Sequence, residues 1–125
     1  MKSIVLVALA MLSGQLSATR VMEYAEAKAL ADKDEASLAP EASTSLLKSQ
    51  GELLDAGTAA CATPTPDLSP FVVVMELDAQ GKVVRTWLQG SSPIGICLRK
   101  YVSGKTLIVP PRAPFYTSLE LSFSK

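Results

Sequence analysis

Apolar and polar positions change period partway along the chain. Residues 71–77 (FVVVMEL) are β-branched, aromatic or long and apolar almost throughout, the strongest strand signal in the sequence. Asp78-Ala79-Gln80-Gly81 then reads as a type I turn with Gly81 at positive φ, and residues 82–89 return as the second strand of a β-hairpin. Strict alternation on that second strand would put Val83, Arg85 and Trp87 on one face and bury an arginine. A bulge between Val83 and Thr86 instead sends Val83, Thr86 and Leu88 inward. Trp87 then faces away from the main helix–sheet core, either covering the N-terminal helices or standing on an exposed face as a partner contact. Near the other end Phe115, Thr117, Leu119, Leu121 and Phe123 alternate with Tyr116, Ser118, Glu120 and Ser122, the period of a half-buried strand.

Helical spacing dominates elsewhere. Residues 19–37 are rich in Ala, Glu and Lys, with a thin stripe of Val21, Tyr24, Ala25 and Leu30, and predict a helix beginning near Thr19 or Arg20. So thin a stripe holds a helix only when something packs on it. Pro40 suits the first turn of a second helix running to about residue 56, whose Leu46, Leu47, Leu53 and Leu54 form the apolar face and which Gly57 or the residues near it should end. Pro64, Pro66 and Pro70 make residues 63–70 an extended connector. Ser92 offers an N-cap oxygen and Pro93 a first helical position, so a helix is expected over residues 93–102. Its Ile94, Cys97, Leu98 and Tyr101 face the hairpin, while Arg99 and Lys100 point outward where positive charge suits the helix dipole. Pro110-Pro111 and Pro114 interrupt regular structure before the last strand. The predicted class is α+β: N-terminal helices, then a hairpin, a helix and a C-terminal strand in a small antiparallel sheet.

The N-terminus bears on compartment. Lys2 followed by the unbroken apolar residues 4–12 and a polar stretch ending at Ala18 reads as a cleavable signal peptide over residues 1–18, cut at or a few residues from Ala18. The apolar run is about half of the roughly 20 residues a bilayer core demands, so no integral membrane anchor is expected once the leader is removed. The division that follows is leader 1–18, helical segment 19–60 and an α+β unit 61–125, folded as one compact mature domain. Cys61 and Cys97, in a chain bound for an oxidising compartment, are expected to pair as a structural disulfide. Their spacing lacks the C-x-x-C arrangement of a redox pair.

Charge and residue types narrow the function. Basic and acidic residues stand at 12 against 12, and at 11 against 12 once Lys2 is lost. With no basic stripe and no aromatic platform, nucleic acid is not an expected partner. The chain contains no His, which removes serine and cysteine triads, imidazole metal ligands and the usual proton carrier near neutral pH. Zinc would need two separated cysteines plus carboxylates. Glu76 and Asp78 share a strand face beside the turn without a visible reason to act as an acid–base pair, and Asp32, Asp34 and Glu35 form an acidic helix end without the spacing of a calcium loop. No phosphate-binding glycine motif occurs. Catalytic, cofactor-binding and metal residues are therefore all expected to be absent, no cofactor is expected, and the least favoured alternative is a hydrolase using Ser91 or Ser92 activated by Lys100 or Lys105.

The order of Asp78 and Gly81-Lys82-Val83 at the turn, Ser91-Ser92 at a helix start, Cys97 in that helix, Pro110-Pro111 before the last strand and Phe123 near the end resembles the C-terminal domain of TonB-type energy transducers. It also resembles the related AgmX/PglI-type C-terminal domains, where a cysteine sits in the helix after the hairpin. The resemblance covers residues 71–125 and implies a fold and a Gram-negative periplasmic setting. Force transmission is not implied, since a transducer needs an uncleaved anchor and a long Pro-rich spacer. The expected function is that of a non-enzymatic periplasmic interaction module with a protein or peptide partner in the cell envelope, which an extended peptide would join by pairing with an open sheet edge. The alternative is an inhibitor or accessory subunit of an exported enzyme, presenting Pro110-Pro111-Arg112-Ala113-Pro114 with Arg112 as the partner contact.

Overall fold

The computed structural model describes residues 21–122, so the expected leader at residues 1–18 and Phe123 lie outside the described residues. Elements run α1 (Tyr24–Ala36), α2 (Pro40–Ala60), β1 (Phe71–Leu77), β2 (Val83–Gln89), α3 (Pro93–Val102) and β3 (Phe115–Leu121). The strands form one antiparallel sheet in the order β2-β1-β3, with β1 in the centre. The fold is α+β, as the hydrophobic pattern predicts.

Side-chain alternation sends the central strand's residues into two cores. Phe71, Val73, Met75 and Leu77 pack with Val83, Leu98, Val102, Phe115, Leu119 and Leu46 of α2. Val72 and Val74 face the other way, toward Ala27 and Ala31 of α1 and the ring of Tyr116. Being covered on both faces is why residues 71–77 are apolar almost without interruption. β3 is covered in the same manner, so Phe115, Tyr116, Thr117, Ser118 and Leu119 are all buried. The expectation of a half-buried strand is thus corrected: α1 lies over the face that alternation marked as polar.

α1 differs from expectation in its start and its buried face. It begins at Tyr24; Glu23 is extended, and the Met22 carbonyl accepts the Trp87 indole N–H at 3.0 Å. The buried stripe is Ala27, Ala31 and Asp34, while Val21 and Ala25 are exposed. Alanines four residues apart stand one above the other on a helix, and their small side chains let α1 lie close against Val74 and Tyr116.

α2 starts at Pro40 as expected but continues through Gly57 to Ala60. Gly57 is a crossing point, since a Cβ there would stand 2.4 Å from Leu98 Cδ1 and 3.1 Å from Tyr101 Cδ2 of α3. Close approach of the two helices explains a glycine that sequence reasoning takes for a terminator. Immediately beyond, Cys61 caps α2 and is bonded to Cys97 of α3, with Cα atoms 5.8 Å apart and a sequence separation of 36.

The hairpin follows its sequence closely. Asp78 Oδ1 accepts the N–H groups of Gln80 at 2.9 Å and Lys82 at 3.0 Å, and Gly81 takes φ +85°. Only glycine fits there, because a Cβ would meet the Ile108 carbonyl oxygen at 2.1 Å. Leu77 pairs with Val83 and Glu76 with Arg85, which leaves Val84 as the extra residue of the expected bulge. Val83 and Leu88 therefore turn to the α2–α3 side, and Trp87 turns to α1. α3 is entered through Ser92, whose Oγ accepts the Gly95 N–H at 3.2 Å.

Closing this loop contributes about 4 kcal/mol on the chain-entropy estimate. Replacing both Cys61 and Cys97 by Ser should lower the unfolding free energy in urea by that order, and a loss below about 1 kcal/mol would show that the bridge adds little. The two glycines of α2 should respond in opposite directions. Gly51→Ala, with nothing within 4 Å of the new Cβ, should stabilise by about 1 kcal/mol, whereas Gly57→Val should cost about 1–3 kcal/mol by overpacking. Equal urea midpoints for the two variants would contradict this account of the crossing.

Candidate functional site

An open antiparallel sheet leaves two edges, and along each edge alternate residues turn their N–H and C=O groups outward. The two edges of this sheet are treated differently.

The β3 edge is filled by side chains at Tyr116 and Ser118, while the next outward position, Glu120, is exposed and has no side-chain or loop partner for its backbone among the described residues. Asp34 Oδ2, at the end of α1, accepts the Tyr116 N–H at 2.9 Å, and Glu35 Oε2 accepts the Ser118 N–H at 3.0 Å as well as the Thr117 hydroxyl. From α2, Gln50 Nε2 donates to the Ser118 carbonyl at 2.9 Å and to Thr117 Oγ1 at 2.8 Å. Two carboxylates and a carboxamide thus stand where a neighbouring strand would supply its acceptors and donor. Acidic residues at a helix C-terminus oppose the helix dipole, and here the strand's N–H groups give them partners. That unfavourable placement is the one sequence signal that could have revealed them.

The β2 edge is covered only in part. At its start the Val83 N–H donates to the Lys105 carbonyl at 2.8 Å, and the Val83 carbonyl accepts the Gly104 N–H at 3.0 Å. Thr86 is the next outward position: its carbonyl accepts from Arg99 Nη2 and its hydroxyl from Arg99 Nε, both at 3.1 Å. Arg99, which the helical pattern points outward, is laid across the strand edge. Two residues on, the outward backbone groups of Leu88 have no side-chain or loop partner among the described residues. Alongside runs a groove of about 290 Å³ between β2 and α3, lined by Thr86, Leu88, Ile96, Arg99, Lys100 and Ser103.

The residues singled out in the sequence are dispersed. Trp87 lies on the α1 face, its ring 6.0 Å from that of Tyr116 and under the Arg85 guanidinium at 4.8 Å. Arg112 turns back onto the body of the protein: Nη2 meets Asp34 Oδ1 at 2.8 Å and Ser37 Oγ at 3.0 Å, while Pro111, Ala113 and Pro114 stay exposed. Glu76 and Asp78 share no chemistry. Glu76 Oε1 accepts from Arg85 Nε at 2.8 Å and from the Tyr116 hydroxyl at 3.3 Å, and Asp78 holds the turn. Burial, reinforced by the Glu76 charge, raises the Tyr116 phenol above its ordinary pKa. Ser92 is the buried cap of α3, and Cys61 and Cys97 are joined. Among the described residues no group of three or more Cys, Asp and Glu is placed to hold a metal ion, and no helix is long and apolar enough to cross a membrane.

Comparison with protein-family models, with curated proteins and with solved structures finds no match to this chain.

The two ends of the Asp34 network should differ in stability. Asp34→Ala leaves the buried Tyr116 N–H without an acceptor and should cost about 1–3 kcal/mol. Arg112→Ala removes an ion pair whose arginine is 48% exposed and should cost less than about 1 kcal/mol. Urea denaturation of both variants is the check; equal losses would place the weight on the ion pair instead of the strand edge.

Proposed function

We propose that this chain is an exported, non-enzymatic interaction module of the cell envelope that takes an extended peptide or a partner's strand along the β2 edge. The observation carrying this reading is the contrast between the edges. The middle of the β3 edge, at Tyr116 and Ser118, is plugged by the part-buried Asp34, Glu35 and Gln50, whereas the β2 edge is held at Thr86 only by the exposed Arg99 and leaves Leu88 outward beside a groove large enough for side chains of an added strand. Edges that have no use are normally blunted or covered.

Three features support the rest. The apolar run at residues 4–12 behind Lys2, read as the core of a leader, and the Cys61–Cys97 bridge support export to an oxidising compartment. The hairpin–helix–strand order resembling TonB-type C-terminal domains favours a Gram-negative periplasm. The lack of His, together with structural bonds made by Glu76, Asp78 and Ser92, argues against catalysis. A second reading, an inhibitor or accessory subunit of an exported enzyme, is favoured by the exposed proline-stiffened segment at Pro111, Ala113 and Pro114, braced by the Arg112–Asp34 pair.

Leu88→Pro removes one outward N–H from an edge strand, a position where proline is tolerated. Envelope extract passed over the immobilised mature chain should leave a protein bound to wild type and not to Leu88→Pro, provided the variant melts like wild type. Unchanged retention would sink edge pairing, and a retained hydrolase that the added chain inhibits would favour the second reading.

A further inference from the structure

Resting on the edge reading above, we infer that the β2–α3 groove selects an acidic extended segment, one in which an apolar side chain and a carboxylate stand two residues apart. The chain as a whole is balanced in charge, but the groove is not. Its lining contains Arg99 and Lys100 and no carboxylate, with Leu88 and Ile96 as its apolar part. Ile96 is 44% exposed. On the neighbouring strand, Glu76 is taken up by Arg85 and Tyr116.

A strand added beside β2 would present every second side chain to the α3 side, at intervals of about 6–7 Å. One such side chain would lie over Leu88 and Ile96, and the next would fall to Arg99 and Lys100. Arg99 adds a selection step. Its guanidinium now donates to the Thr86 carbonyl and hydroxyl, so a strand that pairs at Thr86 must take that carbonyl for its own N–H. The displaced guanidinium is otherwise left to water, whereas a carboxylate on the incoming segment accepts the arginine fork with two charge-assisted hydrogen bonds. A glutamine offers one oxygen without charge, and a lysine is repelled.

The same charges disfavour a second copy as the occupant. Two β2 edges meeting about a two-fold axis would bring Arg99 and Lys100 of each copy toward the same residues of the other.

The test uses the mature chain and blocked seven-residue peptides of valine and threonine carrying two glutamates at alternate positions, with glutamine and lysine counterparts. Amide NMR shifts locate binding and titration gives Kd. The glutamate peptide should move the Thr86 and Leu88 amides and bind at least about tenfold more tightly than the glutamine peptide at low salt. That gap should close in Arg99→Gln/Lys100→Gln, a surface pair whose melting temperature verifies folding. Equal binding of the glutamate and glutamine peptides would overturn the acidic preference and leave edge pairing standing. No shift at Thr86 or Leu88 with any peptide would overturn both, and a concentration-dependent dimer joined at β2 would overturn the choice of occupant.

Discussion

The structure depends on one constraint, the burial of β1 on both faces. Each fully buried Val, Leu, Met or Phe contributes about 2 kcal/mol, and this strand supplies such side chains to two separate cores. No surface ion pair approaches that scale. Once β1 is central, its neighbours must be β2 and β3, and helices must cover the sheet above and below. α1 therefore sits where it does, despite an apolar stripe too thin to hold it in isolation: it is the cover for Val72, Val74 and Tyr116.

Covering a sheet from both sides leaves its edges as the remaining exposed backbone, and the chain resolves them with side chains more than with strands. The C-terminal end of α1 and the middle of α2 meet at β3, so Asp34, Glu35 and Gln50 satisfy the Tyr116 N–H and both backbone groups of Ser118. Because those partners are charged or strongly polar and partly buried, removing an acceptor leaves a desolvated donor, which costs more than the bond contributed. At β2 the cover is Arg99, long, exposed and held by solvent-accessible bonds to Thr86. A contact of that kind exchanges readily for another acceptor. The asymmetry between a buried plug and an exposed one is the physical basis for assigning interaction to β2.

The other side of the sheet is organised by close approach. Gly57 lets α2 cross α3 against Leu98 and Tyr101, and the bridge from Cys61 to Cys97 ties the same pair of helices a few residues further on. A steric allowance and a covalent link at one crossing hold the N-terminal helical half against the hairpin–helix half.

Local chemistry legible in the residues themselves was determined by sequence alone. The hairpin, its Asp78–Gly81 turn, the bulge at Val84, Pro40 at the start of α2, the Ser92 cap and the bounds of α3 all rest on interactions within a few positions of each other. The α+β class and the cysteine pair follow from pattern and count. What faces a residue from a distant part of the chain has no local signature. Whether Gly57 ends a helix or admits another, whether the polar face of β3 meets water or α1, and whether Arg99 and Arg112 point outward or bond to Thr86 and Asp34 were decided by packing. The candidate site lies wholly in that second category, because a strand edge becomes open or closed only when every other element has taken its place.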